Sequence, residues 1–289
     1  MSAKPTRVPL ALGIIVPLVC LTFFVVSLRI YTRVIIIKKI GVDDYWAIAS
    51  FVLLFACAFD ILWGINYGFG RHISSLTDEQ RSNFMKVLYI SILLYNFTLS
   101  AIKITFLAQY YRAFAVQGTK KILIVSIAIV SAWSLSQIFV VLLLCQPMAA
   151  FWDKSISGKC LPNNPQWYIN AAGNIATDLL IILLPLPFLI KLNIPSRQRY
   201  ALVAIFCPGF FTCAISGIRI RVLDLPEDCS WTNVKTASLS VAELSCGLLC
   251  ACLPTLRPLI SRFIPKVFSS RQRSRSYGTN NRWSMPPAT

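Results

Sequence analysis

Four ionisable side chains, Asp60, Lys103, Asp178 and Glu243, stand inside stretches otherwise built largely from Leu, Ile, Val, Phe and Ala. At the centre of a bilayer each costs at least ~2.5–3.5 kcal/mol unless it is paired, neutralised or hydrated. They should therefore face one another rather than lipid. Their neighbours agree: Asn170, Asn174 and Asp178 recur every fourth residue with Thr177 beside them, and Asn96, Ser100 and Lys103 follow at helical spacing. At ~1.5 Å of helix per residue, Asp178 falls near the middle of its stretch and Lys103 somewhat deeper, so an ion pair between the two stripes is expected. Asp60 and Glu243 both fall in the outer third of theirs. Two carboxyls at one depth would frame a polar cavity open to the outside, with Trp63, Tyr67 and Trp231 near its rim.

Two kinds of chemistry fit this set. Asp60, Asp178 and Glu243 are candidates for general acid or base work on a hydrophobic substrate. Asp60, Asn96, Lys103, Asn174, Asp178 and Glu243 are candidates for holding a small ligand. The plainer alternative makes the same groups interhelical glue, in hydrogen bonds that average only ~0.6 kcal/mol inside membranes. Elsewhere the sequence is thin in chemistry. It has no Gly-rich phosphate loop and no nucleophile elbow, and the single His72 has no partner at metal spacing, so neither a metal nor a cofactor is expected. A retinal Schiff base would need a lysine midway along the last apolar stretch, and Thr236–Pro258 contains none. The sequon Asn96-Phe97-Thr98 lies within a helix and should stay unmodified.

The elements that must position these residues follow from hydropathy. At 56% hydrophobic and 13% charged the chain is far from a soluble domain, which runs at about 45–50% and 25%. Seven apolar stretches, Leu10–Leu28, Tyr45–Ile65, Leu88–Tyr110, Lys121–Leu144, Trp167–Ile190, Ala201–Ile220 and Thr236–Pro258, reach or exceed the roughly 18 residues that cross ~30 Å of hydrocarbon. The expected fold class is an all-α membrane protein, a seven-transmembrane helix bundle. Residues 1–9 form a short N-terminal segment, 10–260 the bundle and 261–289 a basic, disordered tail. The first stretch runs about 19 residues without a small-x-small cleavage site, so it reads as a spanning helix and not as a cleaved signal peptide.

Charge sets the expected threading. Seventeen of the 28 Lys and Arg fall in the first, third and fifth connections and the tail, among only two carboxylates, Asp43 and Asp44. Ten fall on the other side, among six carboxylates. Because basic connections stay in the cytoplasm, the N-terminus is expected outside and the C-terminus inside. The net charge of +17 is thus a topology signal, with no nucleic acid implied. The basic tail would gain about 1 kcal/mol per Lys or Arg from anionic inner-leaflet lipids, an attraction that phosphorylation of its serines would weaken. A solvated tail without regulation is the plainer alternative. The default location is the plasma membrane, with an internal membrane left open.

Seven of the ten cysteines lie within the apolar stretches, where Cys acts as a small apolar residue. Cys145 ends the fourth stretch and Cys160 lies in the connection after it, on the side expected to be oxidising. They are placed to close a disulfide over the bundle, the alternative being two unpaired thiols. Cys229 is left over.

Several runs together resemble a known family. Arg29-Ile-Tyr-Thr-Arg33, Asp43-Asp44-Tyr45-Trp46, Tyr67-Gly68-Phe69-Gly70, Lys103-Ile-Thr-Phe-Leu with Tyr110 and Arg112, Cys145-Gln-Pro with Trp152 and Cys160, Asn174 through Asp178, Leu184-Pro-Leu-Pro187 and Leu253-Pro-Thr-Leu-Arg-Pro-Leu259 stand in matching order. The chain resembles the fungal rhodopsin-like integral membrane proteins of the satratoxin-cluster type. That resemblance implies a seven-helix bundle without bound retinal. Some members are receptor-like and others are encoded beside secondary-metabolite genes, and no shared activity is implied. Only about nine residues precede the first stretch here, unlike in receptor-like members with a cysteine-rich outer domain. From physical chemistry alone, Asp43 and Asp44 should cap the second helix, Tyr45 and Trp46 should sit at the interface, and Pro185, Pro187 and Pro254 should kink inner helix ends.

Two functions follow as expectations. One is a receptor-like sensor of a small molecule, with the basic inner loops docking a cytoplasmic signalling partner. The other is a membrane-embedded acid–base enzyme acting on a hydrophobic natural-product intermediate. A transporter fits less well, since no internal repeat of three spans is visible.

Overall fold

A computed structural model describes residues 7–72, 75–114, 119–153, 155–161, 163–185 and 229–263. Among them are the helices α1 (Val8–Tyr31), α2 (Val42–Trp63), α3 (Asp78–Phe114), α4 (Lys120–Leu142), α5 (Asn163–Leu183) and α6 (Cys229–Phe263). Five candidate membrane spans, Val8–Ile37, Val42–Tyr67, Asp78–Ala113, Lys120–Leu142 and Ser230–Leu256, are long and apolar enough to cross a bilayer, and α5 adds a shorter apolar helix, Tyr168–Leu183. The protein is therefore a multi-pass membrane protein. The expected stretch Ala201–Ile220, the last five residues of Trp167–Ile190 and the basic tail beyond Phe263 lie outside the described residues.

The outward faces are apolar. Phe23 and Phe24 on α1, Phe55 and Phe59 on α2 and Phe139 on α4 are each more than half exposed, a surface that suits lipid and not water. Inside, α3 belongs to two cores. Ile15, Leu54, Phe84 and Leu244 pack α1, α2, α3 and α6 together. Leu107, Tyr110, Leu123, Val130 and Ile181 pack α3 against α4 and α5.

Helices outrun their apolar stretches where polar residues continue the turn. α3 begins at Asp78, ten residues before Leu88, because Thr77 and Gln80 cap it reciprocally: the Gln80 N–H donates to Thr77 Oγ1 (3.4 Å) and the Thr77 N–H to Gln80 Oε1 (3.2 Å). Asp78 and Glu79 then complement the helix dipole. α1 continues as a π-helical turn, Thr32–Ile37, and stops at Lys38, whose φ of 55° turns the chain into α2.

One end of the bundle carries the disulfide. The short strands β1 (Cys145–Gln146) and β2 (Lys159–Cys160) pair antiparallel, with Cys145 opposite Cys160 and their sulfurs bonded. From α3, the Tyr89 hydroxyl lies 3.2 Å from the Val141 carbonyl and 3.1 Å from Met148 Sδ, and its ring packs against Phe151 and Trp152 under the hairpin. The exposed Asp153 carboxyl accepts bonds from the Ser155 hydroxyl and N–H, which hold it below the usual carboxylate range. Near the same end Gly68 and Gly70 adopt φ of 98° and 82°, values that side chains disfavour. The resulting turn buries Phe69, and it ties the starts of α1 and α6 together. Gly68 accepts the Ser230 hydroxyl (2.7 Å), Gly70 donates to the Ser230 carbonyl (3.3 Å), and the Gly70 carbonyl accepts the Arg7 N–H (3.3 Å).

Candidate functional site

Midway along the bundle, the Lys103 ammonium of α3 is met by one face of α5. Its Nζ donates to Thr177 Oγ1 (2.6 Å), to Asn174 Oδ1 (3.0 Å) and weakly to the Asn174 carbonyl (3.4 Å), and lies 3.2 Å from Asp178 Oδ1. Lys103 is 3% exposed and Asp178 13%. The helical repeat of the α5 stripe explains the arrangement. Asn170 accepts the side-chain amide of Asn174 at 2.6 Å, which turns the Asn174 oxygen toward the lysine. The expected ion pair is thus present, inside a shell of neutral acceptors.

The two other interior carboxyls are also held, by residues one turn apart on α3. Ser91 donates to Asp60 of α2 at 2.6 Å, and Tyr95 donates to Glu243 of α6 at 2.8 Å. Glu243 is buried and lies within electrostatic reach of Asp178, the carboxylate that pairs with Lys103. Asp60 is half-buried and stands apart from that site, bonded to the turn of α3 nearer the disulfide end. Asn96 is placed differently from its neighbours in the stripe. Its amide donates to Ile92 (2.8 Å) and its carbonyl accepts Ser100 (2.7 Å), so this part of α3 bonds within its own helix.

The aromatic rim expected over the site does not converge. Trp63 is half-exposed and stacks on Phe59 along the outward face of α2. Tyr67 packs against the main core, while Trp231 stacks on His72 at 4.4 Å with the Arg7 guanidinium over its ring. No group of three His, Cys, Asp or Glu among the described residues could hold a metal ion.

A second charged cluster, at the opposite end, escaped the sequence reading. Arg29, counted there as a loop charge, is fully buried in the last turn of α1. It donates to Asp43 Oδ2 (2.7 Å), Asp44 Oδ1 (3.0 Å) and the carbonyl of Ala251 on α6 (2.7 Å). Arg33 adds a bond to Asp43 Oδ2 (3.0 Å), and Arg112 from the end of α3 adds one to Asp43 Oδ1 (2.9 Å) and another to the Lys39 carbonyl (3.0 Å). Asp44 also caps α2 as expected, accepting the Gly41 N–H at 3.0 Å. A Cβ on Gly41 would meet the Arg112 guanidinium and the Asp43 carboxylate, so a larger residue there would have to displace the ends of those side chains. Pro254, which lacks an N–H, lies within α6 three residues beyond Ala251. A signal was present in the sequence: Asp43 and Asp44 are the only carboxylates among seventeen basic residues.

The family model of the fungal rhodopsin domain matches residues 28–262. A SAT4 family membrane protein of Emericella nidulans is 28% identical over 221 residues, 75% of this chain and 56% of that protein. Receptor GIN3 of Arthrobotrys oligospora is 26% identical, covering 93% of this chain and 69% of the relative. Satratoxin biosynthesis SC1 cluster protein 4 of Stachybotrys chartarum is 26% identical over 56% of this chain and 60% of its own. The chain thus spans little more than half the length of the first of these. No solved structure matches it.

Proposed function

The chain belongs to the fungal rhodopsin family, and on that premise we propose that it is a seven-span, receptor-like sensor of a small molecule. In this reading the N-terminus and the disulfide hairpin lie outside and the arginine cluster faces the cytoplasm. The ligand enters among Lys103, Asn174, Asp178 and Glu243, with Asp60 toward the mouth. The observation that carries the proposal is the Lys103 ammonium shared by four acceptors of α5, with the Glu243 carboxyl of α6 in electrostatic reach of Asp178. Charges kept in a membrane interior mark functional sites, and a polar ligand that competes for one acceptor changes which packing of α3, α5 and α6 is preferred.

Two helices connect that site to the arginine cluster. α3 carries both Lys103 and Arg112, nine residues or ~14 Å apart, and α6 carries both Glu243 and Ala251, eight residues or ~12 Å apart. A shift of either helix at the site alters the contacts of Arg29 and Arg112, which supplies the inward readout. The name of the Arthrobotrys oligospora relative, a receptor, agrees with this reading.

The test is a deletion strain complemented with the natural gene or with Lys103→Met, with transcript responses recorded against a panel of small metabolites. A sensor gives at least one response that is lost in the deletion and in the Lys103→Met strain. Identical responses in all strains would end the proposal. A second reading, an acid–base enzyme, draws on the relative named for satratoxin biosynthesis. It predicts instead a missing metabolite when Asp60→Asn, Asp178→Asn or Glu243→Gln replaces the natural chain, with transcript responses intact.

A further inference from the structure

The arginine cluster is not neutral. Among the described residues, Arg29, Arg33 and Arg112 share only Asp43 and Asp44, which leaves one positive charge in excess there. The excess does not rest on Arg29, whose three nitrogens are all engaged and whose side chain is fully buried. It rests on the rim, where Arg33 is 11% and Arg112 32% exposed. Donors remain there too. Nε of Arg33 is buried against Asp44 at 3.3 Å, and among the described residues no acceptor meets Nη1 of Arg33 or Nε of Arg112. Lys38 and Lys39 follow in the same turn, both exposed. Exposed apolar side chains, Ile35 and Tyr111, stand beside this edge.

We propose that this open edge binds the phosphate of an anionic membrane lipid, with Arg33 and Arg112 as the contacting donors and the two lysines as a charged flank. Guanidinium forks match phosphate oxygens, and Asp43 and Asp44 are already saturated by arginine, so little carboxylate charge is left to repel the anion. A lipid phosphate suits the place better than a free one. The edge lies at the ends of α1 and α3, where headgroups meet the bilayer surface, and its apolar neighbours offer contact to an acyl chain that a free ion lacks. The basic tail is not needed for this site, and neither is the sensor reading.

The full chain in nanodiscs of phosphatidylcholine, with and without phosphatidylinositol, provides the test, because both leaflets then present the same lipids whichever way the protein is threaded. Native mass spectrometry should find phosphatidylinositol retained on the natural protein. Retention should weaken roughly fivefold for each lysine removed in Lys38→Ala and Lys39→Ala, exposed positions whose loss leaves the fold intact. It should fall further in Arg112→Gln and should persist after removal of residues 264–289. Equal retention of phosphatidylcholine, retention unchanged by the lysine substitutions, or loss on removing the tail alone would each overturn the site. Inorganic phosphate protecting the protein in detergent as well as phosphatidylinositol does would identify a free ion as the ligand and overturn the lipid assignment.

Discussion

Lys103 shows how one residue can be both costly and fixed. Its charge is balanced by Asp178, but much of its hydrogen bonding goes to neutral oxygens of Asn174 and Thr177, which do not depend on ionisation. Asp178→Asn should therefore cost about 2–3 kcal/mol, less than the ~3–5 kcal/mol lost when a buried ion forfeits its partner entirely. Lys103→Met should cost more, since it leaves Asp178 and Glu243, two carboxyls in electrostatic reach, without that lysine. The double variant should recover part of the loss, with a coupling of about 0.5–3 kcal/mol. Thermal unfolding of the four proteins in one detergent measures this, and strictly additive losses would mean that the pair does not act as a unit. This site was legible beforehand because both stripes repeat at helical spacing and reach similar depth. Asn96 shows what periodicity leaves open: an amide on a buried helix face can donate to the carbonyl four residues back, and periodicity cannot tell that bond from one between helices.

Among elements, α1 and its π-helical turn do what no local rule foretold. Arg29 and Arg33 follow an apolar stretch and read as the basic mark of a helix end, yet the helix continues and carries both onto the carboxylates that start α2. The apolar cores of the helices were legible because hydrocarbon thickness fixes their length. The cluster was not, since it needs four elements, α1, α2, α3 and α6, in register. Its geometry ranks the arginines. Arg29→Gln removes the fork between two buried carboxylates and an α6 carbonyl and should cost about 3–5 kcal/mol. Arg33→Gln, at the rim with Asp43 still held twice, should cost only about 1 kcal/mol, the value of a typical single hydrogen bond. Arg29→Lys should restore little, because an ammonium cannot span the same acceptors. Unfolding midpoints in detergent check the order, and an Arg29→Gln protein as stable as the natural one would show that the cluster does not hold the four elements together.

At the scale of the molecule the first five described helices alternate between two ends. The starts of α1, α3 and α6 lie with the disulfide hairpin, and the end of α1, the start of α2 and the end of α3 lie with the arginine cluster. α5 follows the hairpin and packs its last turns beside Leu107 and Tyr110, toward the arginine end, whereas α6 starts at the other. A seven-span threading with the hairpin outside therefore makes a direct prediction about glycosylation, which happens only on the luminal or outer side. Ser155→Asn completes an Asn-x-Ser acceptor with Ser157 in the hairpin connection, and it should be modified. Gln117→Asn completes one with Thr119 in the connection between α3 and α4 and should not be, nor should Trp283→Ser, which completes one with Asn281 in the tail. A glycosidase-sensitive shift in gel mobility reads each variant. Modification of the tail together with the hairpin would put an even number of crossings between the hairpin and the tail, and modification at 117 but not at 155 would reverse the threading; in either case the cytoplasmic readout proposed for the arginine cluster would fall.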